Sequence, residues 1–293
     1  MSAAVSQTYF FGDTDVEQRR LVAQAESYEL PARWFLNQIR IQPGWRTIDV
    51  GCGPLGILHL LSERVGSRGI VVGLEREPRF AHMAQDQVAR RHLGNATVLQ
   101  ADVMASGLQN CSFDFAHERL VMVNMSSPET LLAELVDLVR PGGIIAVEEI
   151  DNASWVCQPP HPSWDKLLQT FHAAFRASGG NVLIGRRLPE LLRAAGLEDV
   201  QYKVHVDFAM PGGYRRTHLI TLIDSVREQV SSLGLLTEAE LASHREALTN
   251  HLDNPNTIVI DKLLVQAWGR KPTLLIRAPT SASSSRGQSR EMG

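Results

Sequence analysis

The stretch Arg46–Gly56, RTIDVGCGPLG, decides the fold of this chain. Residues 47–50 form a short, β-branched run that is typical of a strand. Residues 55–64 then place apolar side chains at helical spacing. A strand that ends at glycines and continues as a helix presents free backbone N–H groups, and Gly51 and Gly53 let a ligand approach the main chain. The stretch therefore predicts the first turn of a nucleotide-binding βαβ unit.

The same stretch resembles the cofactor loop of the Rossmann-like (class I) methyltransferases that depend on S-adenosylmethionine (SAM), in which an acid precedes Gly-x-Gly-x-Gly. Here the pattern is Asp49-x-Gly51-x-Gly53-x-Leu55, with a glycine displaced to position 56. The three glycines also fit the G-x-G-x-x-G spacing of dinucleotide enzymes, so an NAD(P)-dependent oxidoreductase is an alternative. Asp49 favours SAM, because a carboxylate suits the free α-amino group of a sulfonium cofactor and repels a pyrophosphate.

Acidic residues also end the next predicted strands. Glu75 follows the apolar run 69–74, where an acid is placed to take both ribose hydroxyls. The resemblance implies that Asp102 and the backbone of Val103 contact the adenine, and that the segment containing Glu118 touches the methionine part of the cofactor. Acids at strand ends also occur in ordinary turns. The predicted cofactor-binding residues are Asp49, Gly51, Cys52, Gly53, Glu75, Asp102, Val103 and Glu118.

A second feature typical of this methyltransferase family lies further along the chain. An amphipathic helix over 128–139 leads to the turn R-P-G-G at 140–143 and then to a buried strand over 144–149. The resemblance covers roughly residues 9–270. It implies an α/β fold with a seven-stranded, mostly parallel Rossmann-like sheet, helices on both faces and an antiparallel last strand.

The helical pattern outside the βα repeat predicts two additions to this fold, a cap before the first strand and an insertion before the last. In the cap, Asp13 or Thr14 begins a helix, Thr14 and Glu17 form a capping box, and Pro31 causes a break near Leu30. The expected organisation is an N-terminal helical cap at 1–40, a SAM-binding domain at 41–213 and 256–272, a helical insertion that acts as a lid at 214–255, and a disordered tail at 280–293.

Composition limits the partners and the compartment. A net charge of −3 and a pI near 6.4 argue against nucleic acid as a partner. No apolar run approaches the ~18 residues of a membrane span. Three widely spaced cysteines predict neither a disulfide framework nor a zinc site, and no metal is expected. We expect a cytoplasmic protein with a small-molecule substrate, and a homo-oligomer is possible.

Methyl transfer is an in-line displacement from a cationic sulfur, so the leaving group departs neutral and a base is needed only to deprotonate the acceptor. Position alone suggests five candidate bases near the carboxyl ends of the fourth and fifth strands: His117, Glu148, Glu149, Asp151 and His161. The predicted catalytic residues are His161, in a proline-rich loop, and Tyr28, on the cap. A lone histidine is nonetheless more often a structural residue than a base.

The aromatic and apolar residues beyond position 150 favour an apolar small molecule as the acceptor of the methyl group, at an oxygen, nitrogen or carbon atom. They are Trp155, Trp164, Phe171, Phe175, Phe208, Met210 and Tyr214. The resemblance to ubiquinone-type and natural-product methyltransferases points the same way and implies a role in biosynthesis. A non-catalytic SAM-binding protein, or a cyclase on the same fold, remains a further alternative.

Overall fold

A seven-stranded sheet forms the centre of the computed structural model, which describes residues 9–12 and 14–273. Its strands are β1 (Arg46–Val50), β2 (Ile70–Glu75), β3 (Ala96–Gln100), β4 (Phe113–Arg119), β5 (Val139–Asp151), β7 (Glu198–His205) and β10 (Leu263–Arg270). Their spatial order is β3-β2-β1-β4-β5-β10-β7. The first five strands pair in parallel, whereas β10 runs antiparallel to β5 and β7. The predicted α/β, mostly parallel fold is confirmed.

Helices cover both faces of this sheet and bury two apolar clusters. One face carries α2 (Glu29–Ile39), α3 (Leu58–Val65) and α4 (Pro78–Arg90), and the other carries α5 (Pro128–Leu138) and α7 (Leu188–Ala194). The remaining helices are α1 (Asp15–Ser27), α6 (Pro162–Ala177), α8 (Tyr214–Ser225), α9 (Arg227–Ser232) and α10 (Glu238–Asp253). Of these, α8 packs against α1, α6 and α10, so an additional helical layer lies beside the βα repeat. In the described part of the chain, no helix has the length and hydrophobicity to cross a membrane.

A second, three-stranded sheet was not predicted from the sequence. It consists of β6 (Val156–Gln158), β8 (Phe208–Ala209) and β9 (Ile258–Ile260), in the order β6-β9-β8. Because of it, the apolar runs 200–208 and 257–268 are each divided between two sheets. Asp207 and Asp261 lie at the two points where the chain passes from one sheet to the other. Arg215 pairs with Asp207 (3.2 Å) and with Asp261 (2.6 Å) and so holds these two points together.

The N-terminal helices differ from the prediction in two details. The break lies at Tyr28, and Pro31 falls in the first turn of α2, where a missing N–H costs no hydrogen bond. Thr14 caps α1 by accepting from the Glu17 N–H (3.2 Å). The Glu17 carboxylate instead accepts from the Tyr9 hydroxyl (2.8 Å) and from Arg20, so the predicted capping box is only half formed.

Two strand boundaries near the site also differ. β4 continues to Arg119, so His117 and Glu118 lie inside the strand and not after it. The R-P-G-G segment is part of β5 and forms a bulge opposite Asp114, whose carboxylate accepts from Arg140 (2.7 Å). The expected disordered tail, the start of the cap and Asp13 lie outside the described residues.

Candidate functional site

The glycine loop lies between β1 and α3, at the carboxyl edge of the sheet. Gly51, Gly53 and Gly56 all have positive φ angles, of 66°, 57° and 49°. A Cβ on Gly51 would lie 2.4 Å from a methyl group of Val121, whereas a Cβ on Gly53 would meet no atom within 4 Å. The prediction that both glycines leave space for a ligand therefore holds only for Gly53. Gly51 instead makes room for the side chain of Val121.

Glu75 joins the end of β2 to the glycine loop. Its carboxylate accepts from the Gly53 N–H (2.8 Å) and the Glu77 N–H (2.9 Å). The side chain is buried, and burial raises the pKa of Glu75 although these two backbone donors oppose the shift. The sequence thus correctly placed an acid beside the loop, and its predicted contact with a ribose stays a prediction.

Asp102 lies at the end of the neighbouring strand, β3. Its carboxylate accepts from the Met104 N–H (3.0 Å) and caps a short 3₁₀ turn that begins at Val103. Arg76 lies 4.0 Å away, and the Asp102 side chain is about one third exposed. The predicted adenine contacts of Asp102 and Val103 stay predictions.

Asp49 and His117 belong to a buried chain of charged groups. His117 Nδ1 lies 2.7 Å from Asp49, and Nε2 lies 2.9 Å from Glu148. Burial lowers the pKa of His117, but the two carboxylates outweigh this and raise it to about 9, so the ring is cationic at neutral pH. Gln266 extends the chain by donating to Glu148 (2.6 Å) and to the carbonyl of Pro31 (3.1 Å). Arg119 adds a second positive charge near Glu148, because its charge also lowers the pKa of that carboxyl.

Glu118 and Glu149 hold the segment that follows β4. Glu118 accepts from the Val121 N–H (3.1 Å) and Glu149 from the Val123 N–H (3.0 Å), and both side chains are fully buried. Burial raises the pKa of Glu118 to about 7, and burial together with the charge of Glu118 raises that of Glu149. Such neighbouring acids favour sharing one proton at neutral pH. The predicted cofactor contact of Glu118 stays a prediction.

A cavity of about 60 Å³ lies over the glycine loop, and helix α1 forms its roof. Leu21, Gln24 and Ala25 of α1 face the loop, while His117 and Arg119 lie opposite. Binding sites for nucleotide-sized molecules are roughly 300 Å³ or larger. The space under α1 is therefore smaller than such a site. The residues that line the 60 Å³ cavity are Leu21, Gln24, Ala25, Asp49, Gly51, Cys52, Gly53, Pro54, Leu55, Gly56, His117 and Arg119.

Of the two predicted catalytic residues, Tyr28 is the one near this cavity. Its buried ring lies between two guanidinium groups, 5.8 Å from Arg119 and 5.0 Å from Arg215. Burial, followed by the charge of Asp261, raises the pKa of Tyr28, so its hydroxyl stays protonated at neutral pH. It can donate a hydrogen bond there, but it is a poor base.

His161 is placed in the helical layer, outside the lining of the glycine-loop cavity. It caps α6, because its Nδ1 accepts from the Ser163 N–H (3.2 Å), and its ring stacks on His251 at 4.6 Å. Burial and the neighbouring His251 lower the pKa of His161. Among the other candidate bases, Asp151 is paired with Arg186 (2.5 Å).

A larger cavity of about 760 Å³ lies between α1, α8 and α10. Its walls carry more charge than the sequence suggested, since Arg19, Arg20, Arg227 and Arg245 all line it. Trp155 and Trp164 are buried elsewhere, and two other predicted lining residues, Phe208 and Met210, are 63% and 71% exposed. Gln24 of the N-terminal cap and Arg119 of the segment that contains Glu118 both line the smaller cavity, where α1 covers the glycine loop.

Comparisons with known proteins assign the family. Residues 41–196 match a family described as a methyltransferase domain. The demethylmenaquinone methyltransferase of Listeria monocytogenes is 27% identical over 153 residues, which cover 51% of this chain and 61% of that protein. A protein of the same name from Geobacillus kaustophilus is 26% identical over 207 residues, which cover 65% of this chain and 88% of that protein. The match to the Listeria protein thus spans about three fifths of its length.

A solved structure supports the same fold. The phosphoethanolamine N-methyltransferase 2 of Haemonchus contortus, in complex with phosphomonomethylethanolamine and S-adenosylhomocysteine, superposes with a TM-score of 0.57 at 13% identity. The superposition covers 93% of this chain and 62% of that one. Because the family match extends over more than half of the 293 residues, the predicted resemblance is confirmed: the chain belongs to the methyltransferase domain family.

Proposed function

We propose that this protein is a SAM-dependent methyltransferase that acts on an oxygen, nitrogen or carbon atom of a small molecule. The observation that carries the proposal is the set of three acids, Asp49, Glu75 and Asp102, at or beside the carboxyl ends of three adjacent parallel strands around the glycine loop. Open α/β sheets bind their ligands at this edge. The family match and the names of the curated relatives support the same reading.

The described residues fit the chemistry of SAM. The space above Gly53 accepts a ligand close to the main chain, and Glu75 beside it offers carboxylate oxygens to ribose hydroxyls. Asp102 and Val103 suit the adenine. The carboxylate of Asp49, in the wall of the small cavity, offers an anionic partner to a cationic ligand. When bound, SAM supplies an electrophilic methyl group on a cationic sulfur.

The work left to the protein is orientation and exclusion of water. We assign the second task to α1, whose residues Leu21, Gln24 and Ala25 cover the glycine loop. Tyr28 positions the acceptor as a hydrogen-bond donor, because its hydroxyl stays protonated. The Nδ1 of His161 already caps α6, so we assign His161 no part in the transfer.

We infer further that the acceptor is a biosynthetic small molecule, such as a natural product, and that the enzyme works in the cytoplasm. The names of the relatives support a small-molecule acceptor. All three cysteines are free, which suits a reducing compartment. The net charge of −3 argues against nucleic acid as the acceptor.

Isothermal titration calorimetry with SAM and with NADH tests the proposal. We expect SAM and S-adenosylhomocysteine to bind and NADH to give no heat. Tight NADH binding without any SAM heat would overturn the proposal in favour of an oxidoreductase. A protein that binds SAM and yet transfers no labelled methyl group to any of a broad panel of phenols, amines and carbon acids would instead be a SAM-binding protein without transferase activity.

A further inference from the structure

Five side chains beside α8 form a buried group that we call the donor cluster: Trp155, Trp164, Tyr214, His218 and Lys262. Trp155, Trp164, His218 and Lys262 are each at most 4% exposed. The ring of Trp155 lies 5.6 Å from that of Trp164 and 5.5 Å from that of His218. Tyr214 lies 4.5 Å from His218 on the other side. The five residues are therefore in continuous contact, although they come from four separate parts of the chain.

Lys262 determines which nitrogen of His218 carries the proton. Its Nζ lies 2.8 Å from His218 Nδ1 and 3.3 Å from the Asp261 carboxylate. Burial lowers the pKa of Lys262 to about 8, with Asp261 opposing the shift, so the ammonium form dominates at neutral pH. Burial and the charge of Lys262 lower the pKa of His218, so the imidazole is neutral. An ammonium group that donates to Nδ1 leaves the single ring proton on Nε2.

The donors of this cluster are buried without acceptors. Within the described residues, His218 Nε2, Trp155 Nε1 and Trp164 Nε1 have no hydrogen-bond partner. The Tyr214 hydroxyl is also shielded from solvent, and it lies near the Arg20 guanidinium without a well-formed hydrogen bond. Buried polar groups in folded proteins nearly always have partners. Several unpaired N–H donors in one place, beside an ammonium group, therefore indicate a ligand with an oxygen acceptor.

The cluster lies at the same edge of the sheet as the glycine loop. Trp155 follows the end of β5, and Lys262 precedes the start of the antiparallel β10, so both lie at the carboxyl edge. Asp261 pairs with Lys262 and with Arg215, whose guanidinium lies over Tyr28. Tyr28 in turn contacts Arg119 in the wall of the glycine-loop cavity.

The cluster also borders the larger cavity. Tyr214 and Arg20 line that cavity, and Tyr214 lies directly against His218. A molecule in the larger cavity would therefore be separated from His218 by the Tyr214 ring and from the glycine loop by α1.

We propose that the donor cluster binds the acceptor substrate through an ionised oxygen on an apolar body, a phenolate or a carboxylate. The inference rests on the proposed function and names the substrate class of that site. N–H donors and an ammonium group stabilise a negative oxygen, and the indole and phenol rings form apolar walls for a flat body. The charged groups that act on His218 and Lys262 from the surrounding elements are Asp261, Arg20 and Arg215.

The test uses 4-nitrophenol, whose absorbance reports its ionisation, with the full-length protein in the presence and absence of S-adenosylhomocysteine. We expect the bound probe to ionise at a pH at least about one unit below that of the free probe. His218→Phe and Lys262→Met should each weaken binding at least about tenfold and remove this shift. The exposed His82 on α4 gives a matched control, and His82→Phe should behave like the wild type. Far-UV circular dichroism checks that each variant is folded.

Two further probes sharpen the result. 4-Nitroanisole, which has no ionisable oxygen, should bind at least about tenfold more weakly than 4-nitrophenol. Benzoate that displaces 4-nitrophenol would assign the carboxylate class, and benzoate that does not would assign the phenolate class. Equal binding of 4-nitroanisole, or unchanged binding by folded His218→Phe and Lys262→Met, would overturn the inference and indicate that ordered water satisfies these donors.

Calorimetry with S-adenosylhomocysteine on the same samples separates the two proposals. Binding of S-adenosylhomocysteine without binding of 4-nitrophenol would overturn only the role of the donor cluster. Binding of 4-nitrophenol without binding of S-adenosylhomocysteine would overturn only the proposed methyltransferase function.

Discussion

Glu75 is the single side chain on which cofactor affinity should depend most. Replacing it with alanine removes the charged acceptor proposed for the ribose, and hydrogen bonds to charged groups contribute roughly 1.5–3 kcal/mol. We therefore expect SAM affinity, measured by calorimetry, to fall on the order of 30-fold in Glu75→Ala. Glu75→Gln keeps one carbonyl oxygen and should lose less.

The structure also predicts that Glu75→Ala loses stability, which the sequence did not suggest. Because the Glu75 carboxylate also accepts from the N–H groups of Gly53 and Glu77, Glu75→Ala should lower the melting temperature as well. An alanine variant that binds SAM as tightly as the wild type would show that the ribose is held elsewhere.

Gly53 and Gly51 form a matched pair for testing where the cofactor approaches the loop. Both have positive φ, so alanine at either position is strained by roughly 1–2 kcal/mol. A Cβ at Gly53 projects into open space, whereas a Cβ at Gly51 collides with Val121. We expect Gly53→Ala to stay folded and lose SAM affinity, and Gly51→Ala to lose stability much more. Normal SAM binding by Gly53→Ala, together with a normal melting curve, would contradict this placement.

His117 should make the stability of the protein depend on pH. Its pKa is about 9 in the folded protein and about 6.5 when unfolded. The stabilisation is therefore complete below pH 6.5 and is lost as the pH rises towards 9. Between pH 6.5 and 8 we expect the free energy of unfolding, from urea titrations, to fall by roughly 1–2 kcal/mol. Above pH 8 the lowered pKa of Lys262 acts in the opposite direction.

A variant and a direct measurement identify the responsible group. His117→Gln should lose most of this slope, and the remainder should come from Glu118, whose raised pKa of about 7 also makes stability fall as the pH rises. In the wild type, ¹⁵N NMR at pH 7 should show protons on both ring nitrogens of His117. A neutral ring at pH 7 would refute the assignment.

The sequence could place three acids around the glycine loop because they lie at fixed points of one local pattern. Asp49 precedes the glycines, and Glu75 and Asp102 each follow a recognisable apolar strand. The His218–Lys262 contact joins residues 44 positions apart. No local sequence pattern predicts this contact, because it forms only when the second sheet has formed.

At the level of elements, prediction succeeded where one periodicity extends over a whole helix or strand. The βα repeat from β1 to β5 follows from its alternating apolar patterns. Prediction failed where an apolar run is divided between two sheets, as at Asp207 and Asp261, because only pairing with distant strands reveals such a break. Capping residues show the same limit. Thr237 and Glu240 form a complete box, whereas Glu17 is drawn to Tyr9 and Arg20 by tertiary contacts.

Helix α1 should change its protection when ligand binds. It forms the roof of a cavity of about 60 Å³, which is smaller than a site for SAM, so we expect this helix to move when the cofactor binds. We expect amide hydrogen exchange over 15–27 to change on addition of S-adenosylhomocysteine, because the moved helix makes new contacts. Helix α7, which packs against β7 and β10, serves as the internal control and should change little. Unchanged exchange in α1, with ligand binding shown by calorimetry, would defeat the idea of a mobile cap.

At the scale of the whole molecule, the topology follows from the order of elements, since alternating strands and helices give a parallel sheet and right-handed crossovers. The antiparallel β10 was expected from the resemblance to the methyltransferase family. The resemblance did not predict that the start of β10 places Lys262 at the carboxyl edge, opposite the end of β5.

Helix α1 also separates the two cavities of the molecule. Arg20 faces the larger one, and one turn later Gln24 faces the glycine loop; the two side chains are hydrogen-bonded (2.6 Å). Any displacement of the helix by one ligand therefore alters the wall met by the other, and thermodynamic linkage then requires each ligand to change the affinity of the other by the same factor. We expect the dissociation constant of S-adenosylhomocysteine to change when 4-nitrophenol is present, and that of 4-nitrophenol to change equally. Strict independence of the two constants would mean that α1 only separates the cavities. If each ligand strengthens the binding of the other, retention of the acceptor will rise and fall with the cellular pool of methyl donor.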